Sequence, residues 1–156
     1  MTKQELQDQL QDAMRARDEV RTSTLRLLLS AVNYYEIQKG LPAQAGGAGY
    51  EASQEDVLSV VQKEVKQRND SIEQFKAGGR QDLVDKETAE LEILKEFMPE
   101  QIGEEEIRAL VKQAIAETGA TSAADIGKIM GDLMPKVKGK ADGGLVSKIV
   151  QEELKA

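Results

Sequence analysis

The sequence predicts an all-α protein of about seven helices in two units. Apolar residues recur at helical spacing along nearly the whole chain, and no stretch alternates in the manner of a β-strand. Aromatic residues make up only 3% of the 156 residues and tryptophan is absent. The core must therefore be built from aliphatic side chains and methionine, the usual filling of helix–helix interfaces.

The first unit is expected to span residues 1–98 and to contain four helices. The first helix covers about residues 2–17. The second is capped at Asp18, runs to about Lys39, and has an inward stripe of Val20, Leu25, Leu28, Ala31, Val32 and Tyr35. The segment Gly40–Ala52 is rich in glycine and alanine and has no periodicity, so it predicts a loop.

The third and fourth helices are predicted to form a long charged hairpin over residues 55–97. Ser53 and Asp56 have the spacing of a capping box, and Gly78-Gly79 ends the third helix. The fourth covers about residues 81–97. Glu64 and Arg68 are four residues apart and are expected to pair on a solvated helix face, and Glu92 could reach basic residues of the neighbouring helix.

The second unit is expected to span residues 99–156 and to contain three helices. Three glutamates at 104–106 suit the first turn of the fifth helix, because the helix dipole favours negative charge there. Ser122 and Asp125 predict a capping box for the sixth helix, which Pro135 should kink or end near residues 131–134. Asp142 is the expected N-cap of the seventh.

Composition excludes several kinds of site. The chain has no cysteine and no histidine, which rules out disulfides, thiol nucleophiles, histidine bases and zinc sites of the Cys/His type. The N-terminus has no apolar signal-peptide core, and no apolar run approaches the length of a membrane span. We therefore expect a cytoplasmic protein with no membrane partner.

One short segment departs from the acidity of the whole chain. The formal net charge is −7, but residues 127–148, which we call the basic hinge, hold five lysines against two aspartates, a local charge of +3. Cationic side chains on a glycine-rich backbone suit a polyanion such as RNA. The candidate binding residues are Lys128, Lys136, Lys138 and Lys140, together with Gly127, Gly131 and Gly139.

A second explanation of the basic hinge is purely structural. Lysines near a helix C-terminus complement the helix dipole, which stabilises by about 0.3–1 kcal/mol each. Gly127 and Gly131 weaken this explanation, since glycine inside a helix costs about 1 kcal/mol relative to alanine. Four residues apart, they share one face, which either a neighbouring helix or a nucleic-acid backbone could approach closely.

No catalytic residue, cofactor site or metal site is predicted. The acidic groups at residues 104–106, 152–153 and 90/92 all fit solvated helix positions. A serine nucleophile would need a lysine as base, and the chain has neither a Gly-x-Ser-x-Gly turn nor a phosphate-binding glycine loop followed by Lys-Ser/Thr. Intrinsic catalysis is therefore poorly supported.

Several motifs resemble those of the YqeY family over roughly residues 5–154. They are Gln62-Lys-Glu-Val-Lys-Gln-Arg68, Ser71-Ile-Glu-Gln-Phe75, Gly79-Arg-Gln-Asp-Leu83, Met98-Pro-Glu-Gln101, and the stretch from Gly127-Lys128 through Gly139-Lys-Ala-Asp142. The Gly40–Ala52 loop departs from the family pattern in being longer and richer in glycine and alanine.

The resemblance implies a small helical protein related to the C-terminal tail of GatB, a subunit of the glutamine-dependent aminoacyl-tRNA amidotransferase. That tail is a helical module implicated in tRNA recognition, and residues 99–156 match it most plainly at the basic hinge. The resemblance also implies a context of carbon–nitrogen ligase activity with glutamine as amide donor. The chain itself has no cysteine for a glutaminase and no Ser-Ser-Lys amidase signature.

Three hypotheses follow. The preferred one is a non-catalytic module that binds tRNA or a tRNA-handling complex through the basic hinge. The second is an accessory component of a glutamine-dependent aminoacyl-tRNA amidotransferase. The third is a helical protein–protein adaptor that uses the charged hairpin of residues 55–97.

Overall fold

The computed structural model describes residues 1–40, 49–120, 122 and 125–155, and these residues confirm the all-α prediction. They contain seven α-helices and no β-strand. In order, the helices are α1 Lys3–Ala16, α2 Glu19–Gly40, α3 Gln54–Ala77, α4 Gln81–Lys95, α5 Glu104–Thr118, α6 Ile126–Val137 and α7 Gly143–Glu153. The predicted loop at Gly40–Ala52 lies mostly outside the described residues, which resume at Gly49.

The helices group into two compact units, Met1–Met98 and Pro99–Ala156. That each is a domain able to fold by itself stays a prediction. In the first unit α1 packs on α2, α3 on α4, and α2 contacts both α3 and α4. Its main core consists of aliphatic side chains, among them Leu6, Leu25, Leu28, Val32, Val57, Val61 and Leu94. A smaller cluster of Ile72, Val84 and Leu91 holds the far part of the α3–α4 hairpin together.

The second unit has its own hydrophobic core between α5, α6 and α7, each of which contacts the other two. Its buried residues recur at helical spacing along the three helices: Ile107, Val111, Ala114, Ile129, Leu133, Val146, Ile149 and Val150. Because this core fixes the rotation of α6, it also decides which residues of the basic hinge face solvent.

The predicted helix caps in the first unit are present. The Ser53 hydroxyl accepts from the Asp56 N–H at 3.2 Å, and the Ser53 N–H donates to the Asp56 carboxylate at 3.0 Å, which completes a capping box. Asp18 accepts from the Arg21 N–H at 2.9 Å. Each cap satisfies backbone donors that the first turn of a helix leaves without partners.

Two expectations about α6 need correction. Of the two effects expected of Pro135, a helix end near residues 131–134 does not occur, because α6 continues through Pro135 to Val137. Leu133 and Val137 are buried in the core of the second unit, and this burial offsets the loss of a backbone donor at the proline. The helix also begins at Ile126 with Asp125 at its N-cap, later than a cap at Ser122 would place it.

The inward stripe predicted for α2 is wrong at one position. Val20 is exposed, whereas Leu25, Leu28 and Val32 are buried as expected. Within the described residues, no helix is long and apolar enough to cross a membrane. No group of three or more acidic side chains in that same part of the chain is arranged to hold a metal ion.

Candidate nucleic-acid interface

The basic hinge begins on α6, whose two faces differ sharply. Ile129, Leu133 and Val137 recur every four residues and are buried in the core of the second unit. Gly127 and Gly131 are exposed. The hydrophobic spacing of the sequence therefore fixes the rotation of α6 and turns the two glycines outward.

The glycine face is open in the described part of the molecule. A Cβ added at Gly127 or at Gly131 would have no heavy atom of another element within 4 Å. Of the two partners considered for this face, a neighbouring helix is absent among the described residues. The absence of side chains leaves the backbone of α6 accessible to a large partner from solvent.

The turn after α6 depends on one glycine in a left-handed conformation. Gly139 is buried and has φ of +82°, a region that residues with a Cβ enter only at a cost of about 1–2 kcal/mol. On either side of it, Lys138 and Lys140 are exposed. The turn thus folds its glycine inward and directs the two flanking lysines to the surface.

Asp142 closes the turn as the predicted N-cap of α7. Its Oδ1 accepts from the Leu145 N–H at 2.9 Å. A Cβ at Gly144 would lie 2.9 Å from the same oxygen, so glycine at this position leaves room for the cap. The geometry confirms Asp142 as the cap and assigns Gly144 a role that the sequence did not reveal.

The segment before α5 braces the turn from the other side. The Gln101 side-chain amide donates to the Gly139 carbonyl at 2.7 Å, and the Ile102 N–H donates to the Lys140 carbonyl at 2.9 Å. The sequence analysis placed the boundary between the two units here, after residue 98, and predicted no contact with the turn. The one available signal was the Met98-Pro-Glu-Gln101 motif, whose function no periodicity could indicate.

Lys128 and Lys136 pair with carboxylates of the second unit. Lys128 lies 3.2 Å from Asp125. Lys136 lies 2.8 Å from Asp132 and 3.3 Å from Glu117 on α5. Hydrogen bonds to Asp132, and to Glu117 beside it, raise the pKa of Lys136 above its ordinary value. Both lysines are exposed, so these pairs are surface interactions that contribute little to stability.

The remaining lysines of the basic hinge differ in their surroundings. Lys140 is exposed and forms no ion pair with the described residues. Lys148 on α7 lies 4.0 Å from Glu152 and is also exposed. The structure therefore brings Lys138 and Lys140 together at the turn, and places Lys128 and Lys136 eight residues apart along α6, roughly 12 Å in a helix.

The charged hairpin of α3 and α4 is arranged differently from the prediction. Arg68 is only 8% exposed and Glu90 only 4%, so neither lies on a solvated face. The Arg68 guanidinium lies 3.0 Å from Glu90, 3.4 Å from Glu64 and 3.4 Å from Glu87. Glu92 does not reach α3 but pairs with Lys95 on its own helix at 2.7 Å.

The burial of the Glu64–Arg68 pair has a physical reason. Spacing of four residues predicts that Glu64 and Arg68 meet, and they do, but it cannot reveal that α4 covers the pair. Ile72, Val84 and Leu91 pack the two helices together beside it. The ion pairs of Arg68 therefore hold α3 and α4 together, and they are inaccessible to a nucleic acid.

The family to which the chain belongs follows from its match to a known family model. The family model described as Yqey-like protein matches residues 3–154. The chain belongs to the YqeY family. The match covers both units of the structure, including the whole basic hinge.

Fungal relatives resemble this YqeY protein over most of its length. It is 36% identical to the "Altered inheritance of mitochondria protein 41, mitochondrial" of Pyrenophora tritici-repentis, over 94% of this chain and 77% of that protein. An uncharacterized protein of Schizosaccharomyces pombe is 33% identical over 61% of this chain and 70% of its own length. The Saccharomyces cerevisiae protein named in the same way as the first is 40% identical, over 60% of this chain and 46% of its own length.

These relatives contradict the expected cytoplasmic location. The proteins from Pyrenophora and Saccharomyces are both named as mitochondrial. The expectation was drawn from the lack of an apolar signal-peptide core, which carries no information about mitochondrial targeting. Mitochondrial transit peptides are amphipathic and rich in arginine, so a search for apolar runs cannot detect them.

Proposed function

We propose that this YqeY protein is a non-catalytic binding module that holds the phosphate backbone of an RNA, with tRNA as the favoured class, at the basic hinge. The observation that carries the proposal is the open glycine face of α6 beside exposed lysines. Gly127 and Gly131 have no neighbour at the Cβ position, and Lys138 and Lys140 flank the turn that follows. Exposed cations beside an accessible backbone suit a phosphate chain.

Pro135 adds support for RNA over DNA. In a continuous α-helix the N–H of residue 135 would donate to the carbonyl of Gly131, but proline has no N–H. Gly131 itself lies on the open glycine face. A ribose 2′-hydroxyl can donate a hydrogen bond and a deoxyribose cannot, so a carbonyl without its helical partner favours RNA.

Phosphate contacts position a nucleic acid but do not specify its sequence. The acidity of the whole chain opposes indiscriminate binding, because a net charge of −7 repels a polyanion everywhere except at the basic hinge. The binding expected is therefore oriented, of modest affinity, and steeply dependent on salt. The resemblance of residues 99–156 to the GatB tail is what favours tRNA among RNAs.

The test is binding of an unmodified tRNA transcript to the Lys138→Ala/Lys140→Ala variant over a series of salt concentrations. Loss of two phosphate contacts should weaken binding and reduce the slope of log affinity against log salt by about 1.4–1.8. A DNA hairpin of the same sequence should bind more weakly than the transcript. Unchanged binding of the variant at low salt would remove the site from consideration.

The matched control is Lys63→Ala/Lys66→Ala, which makes the same change in net charge. Both lysines are exposed on α3 and form no ion pair with the described residues. If this control lowers affinity as much as the hinge variant, the effect is one of net charge and the proposal fails. Because Lys63 and Lys66 lie on the charged hairpin, the same control also tests whether the RNA binds there.

We also propose that residues 99–156 form a domain of their own that carries the binding site. The second unit has a separate hydrophobic core and supplies every side chain named in the interface. A fragment of these residues should fold cooperatively, as judged by circular dichroism during thermal unfolding, and should retain tRNA binding. A fragment without a cooperative transition contradicts this part of the proposal.

A further inference from the structure

The outer face of α2 has an apolar stripe that the core of the first unit does not use. Leu27 is 51% exposed, Tyr34 is 61% exposed and Ile37 is 60% exposed, and Val20 is exposed on the same helix. Single exposed apolar residues are ordinary, but a continuous row along one helix indicates an interaction surface. The row lies in the first unit, and its residues differ from those of the basic hinge.

The spacing of this row is that of a helix-pairing seam. Val20, Leu27 and Tyr34 are seven residues apart, and Ser23, Ser30 and Ile37 occupy the intervening positions at the same interval. All six are exposed. A repeat with positions a and d facing outward is the pattern by which two helices pack side by side. Over residues 20–37 the seam is roughly 26 Å long.

The two serines are suited to burial at such a seam. The Ser23 hydroxyl donates to the Val20 carbonyl at 3.0 Å, and the Ser30 hydroxyl donates to the Arg26 carbonyl at 2.9 Å. Because each hydroxyl already has a partner on its own helix, covering it leaves no donor unsatisfied. Their small volume also leaves space for a large side chain from the opposite helix.

We propose that the α2 seam binds the α2 seam of a second copy of this chain, in antiparallel orientation. In the register that pairs a with d positions, Leu27 lies opposite Ser30 of the second copy and Tyr34 lies opposite Ser23. Val20 lies opposite Ile37 at each end. Every central layer then combines a large side chain with a small one, which is the alternation that fills a helix interface without voids. The seam is complementary to itself, as a two-fold dimer requires.

The charges at the ends of α2 favour the same orientation. Asp18 and Glu19 stand at the N-terminal end and Lys39 at the C-terminal end, and Glu19 and Lys39 form no ion pair with the described residues. Antiparallel pairing brings Glu19 of one copy towards Lys39 of the other, which lies over the Tyr35 ring of its own helix. Parallel pairing would place Tyr34 against Tyr34 and leave serine opposite serine. Side-chain volume therefore selects the antiparallel arrangement, and the charges of Glu19 and Lys39 are consistent with it.

The first experiment measures the mass of the full-length protein by sedimentation equilibrium. A dimer is expected, and Leu27→Glu should raise its dissociation constant on the order of 100-fold or more, since two apolar contacts are lost and two charges are buried. Gln67→Glu is the control, because it adds the same charge at an exposed position of α3. Circular dichroism should show both variants folded, as each change is at an exposed helix position.

The second experiment tests the register with engineered thiols, which the absence of native cysteine makes unambiguous. The Val20→Cys/Ile37→Cys variant should form disulfide-linked dimers under mild oxidation. Val20→Cys alone should not, because the two thiols would lie about 26 Å apart, far beyond the reach of a disulfide.

Three results would overturn the proposal. One is a monomer throughout the accessible concentration range, in which case the seam would be open to a different protein. Another is a dimer that Leu27→Glu does not weaken. A third is efficient cross-linking of Val20→Cys alone, which would establish parallel pairing.

Discussion

Arg68 in the α3–α4 hairpin and Lys140 in the basic hinge are both cations in polar stretches of the sequence, and the structure treats them in opposite ways. Arg68 is covered by α4 and contacts three carboxylates. Lys140 is exposed and forms no ion pair with the described residues. The two segments have a similar density of charge along the chain. The function of each cation is therefore decided by whether another helix packs over it.

Burial separates a charge that stabilises the fold from a charge that is available to a ligand. A buried cation such as Arg68 must be paired, because an isolated charge loses its hydration when covered. The lysines of the basic hinge keep their hydration, and their pairs with Asp125, Asp132 and Glu117 can exchange for phosphate at little cost. Removing the first kind should damage the fold, and removing the second should affect only binding.

The largest effect is expected from Arg68→Ala. The change leaves Glu87 and Glu90 covered by the hairpin without their cation, and breaking a buried ion pair in this way typically costs about 3–5 kcal/mol. Urea unfolding should reveal the loss. The control is Lys140→Ala, for which a change within about 0.5 kcal/mol is expected at an exposed site. Equal losses in the two variants would show that burial does not separate the two kinds of cation.

The next effect concerns the backbone of the turn rather than its charges. Gly139→Ala places a Cβ at φ of +82° and should lower the free energy of unfolding by about 1–2 kcal/mol. The neighbouring change Lys138→Ala requires no positive φ and should be nearly neutral. Thermal unfolding of the two variants provides the measurement, and a neutral Gly139→Ala would mean that the turn does not need its left-handed residue.

A third prediction separates stability from binding at the glycine face. Gly131→Ala should stabilise α6 by up to about 1 kcal/mol, because alanine is the better helix former and the Cβ has open space. The same methyl group should weaken tRNA binding if a backbone approaches that face. The two quantities should therefore move in opposite directions. A variant that is more stable and binds equally well would show that the face is not used.

The smallest effect on stability is expected at Asp56, which is neither buried like Arg68 nor exposed like Lys140. Its carboxylate accepts from the hydroxyls of Tyr35 and Tyr50, each at 2.6 Å. The hydrogen bond from Tyr35, followed by those from Tyr50 and Ser53, holds the pKa of Asp56 well below its usual range. The same hydrogen bond, which the Tyr35 hydroxyl donates to Asp56, raises the pKa of Tyr35 to about 12.

The two shifts have opposite consequences for stability. The lowered pKa of Asp56 contributes stability above about pH 4, the unfolded value, and this contribution is lost as the pH falls. The raised pKa of Tyr35 contributes stability below about pH 10 that is lost as the pH rises towards 12. Asp56→Asn should therefore lower the pKa of Tyr35 towards its ordinary value in an absorbance titration, whereas Asp70→Asn at an exposed site should not. An unaltered Tyr35 titration in Asp56→Asn would show that the bond does not set that pKa.

Much of the fold was predictable because helices are specified locally. Capping residues at Ser53, Asp18 and Asp142 are where the sequence placed them, and the apolar periodicity of α2 correctly predicted the burial of Leu25, Leu28 and Val32. Val20 was assigned inward in error, because α2 has apolar residues on two faces and periodicity alone does not distinguish them. Only the neighbours of α2 select the face that is buried.

The candidate site was predictable in part for the same reason. The lysines and glycines of the basic hinge could be named from composition, and the outward rotation of Gly127 and Gly131 followed from the hydrophobic spacing of α6. The brace from Gln101 to the Gly139 carbonyl could not be foreseen, since it joins residues 38 positions apart through a backbone acceptor that no side-chain pattern marks.

The sequence by itself determined the helical class, most helix ends, the aliphatic core and the location of the basic segment, because each depends on residues within a few positions of one another. Only the tertiary structure decided that Arg68 is buried, that Val20, Leu27 and Tyr34 are exposed, and that the glycine face of α6 is open. These outcomes depend on which helix covers which face. That choice is made by contacts between residues far apart in the chain, where local periodicity holds no information.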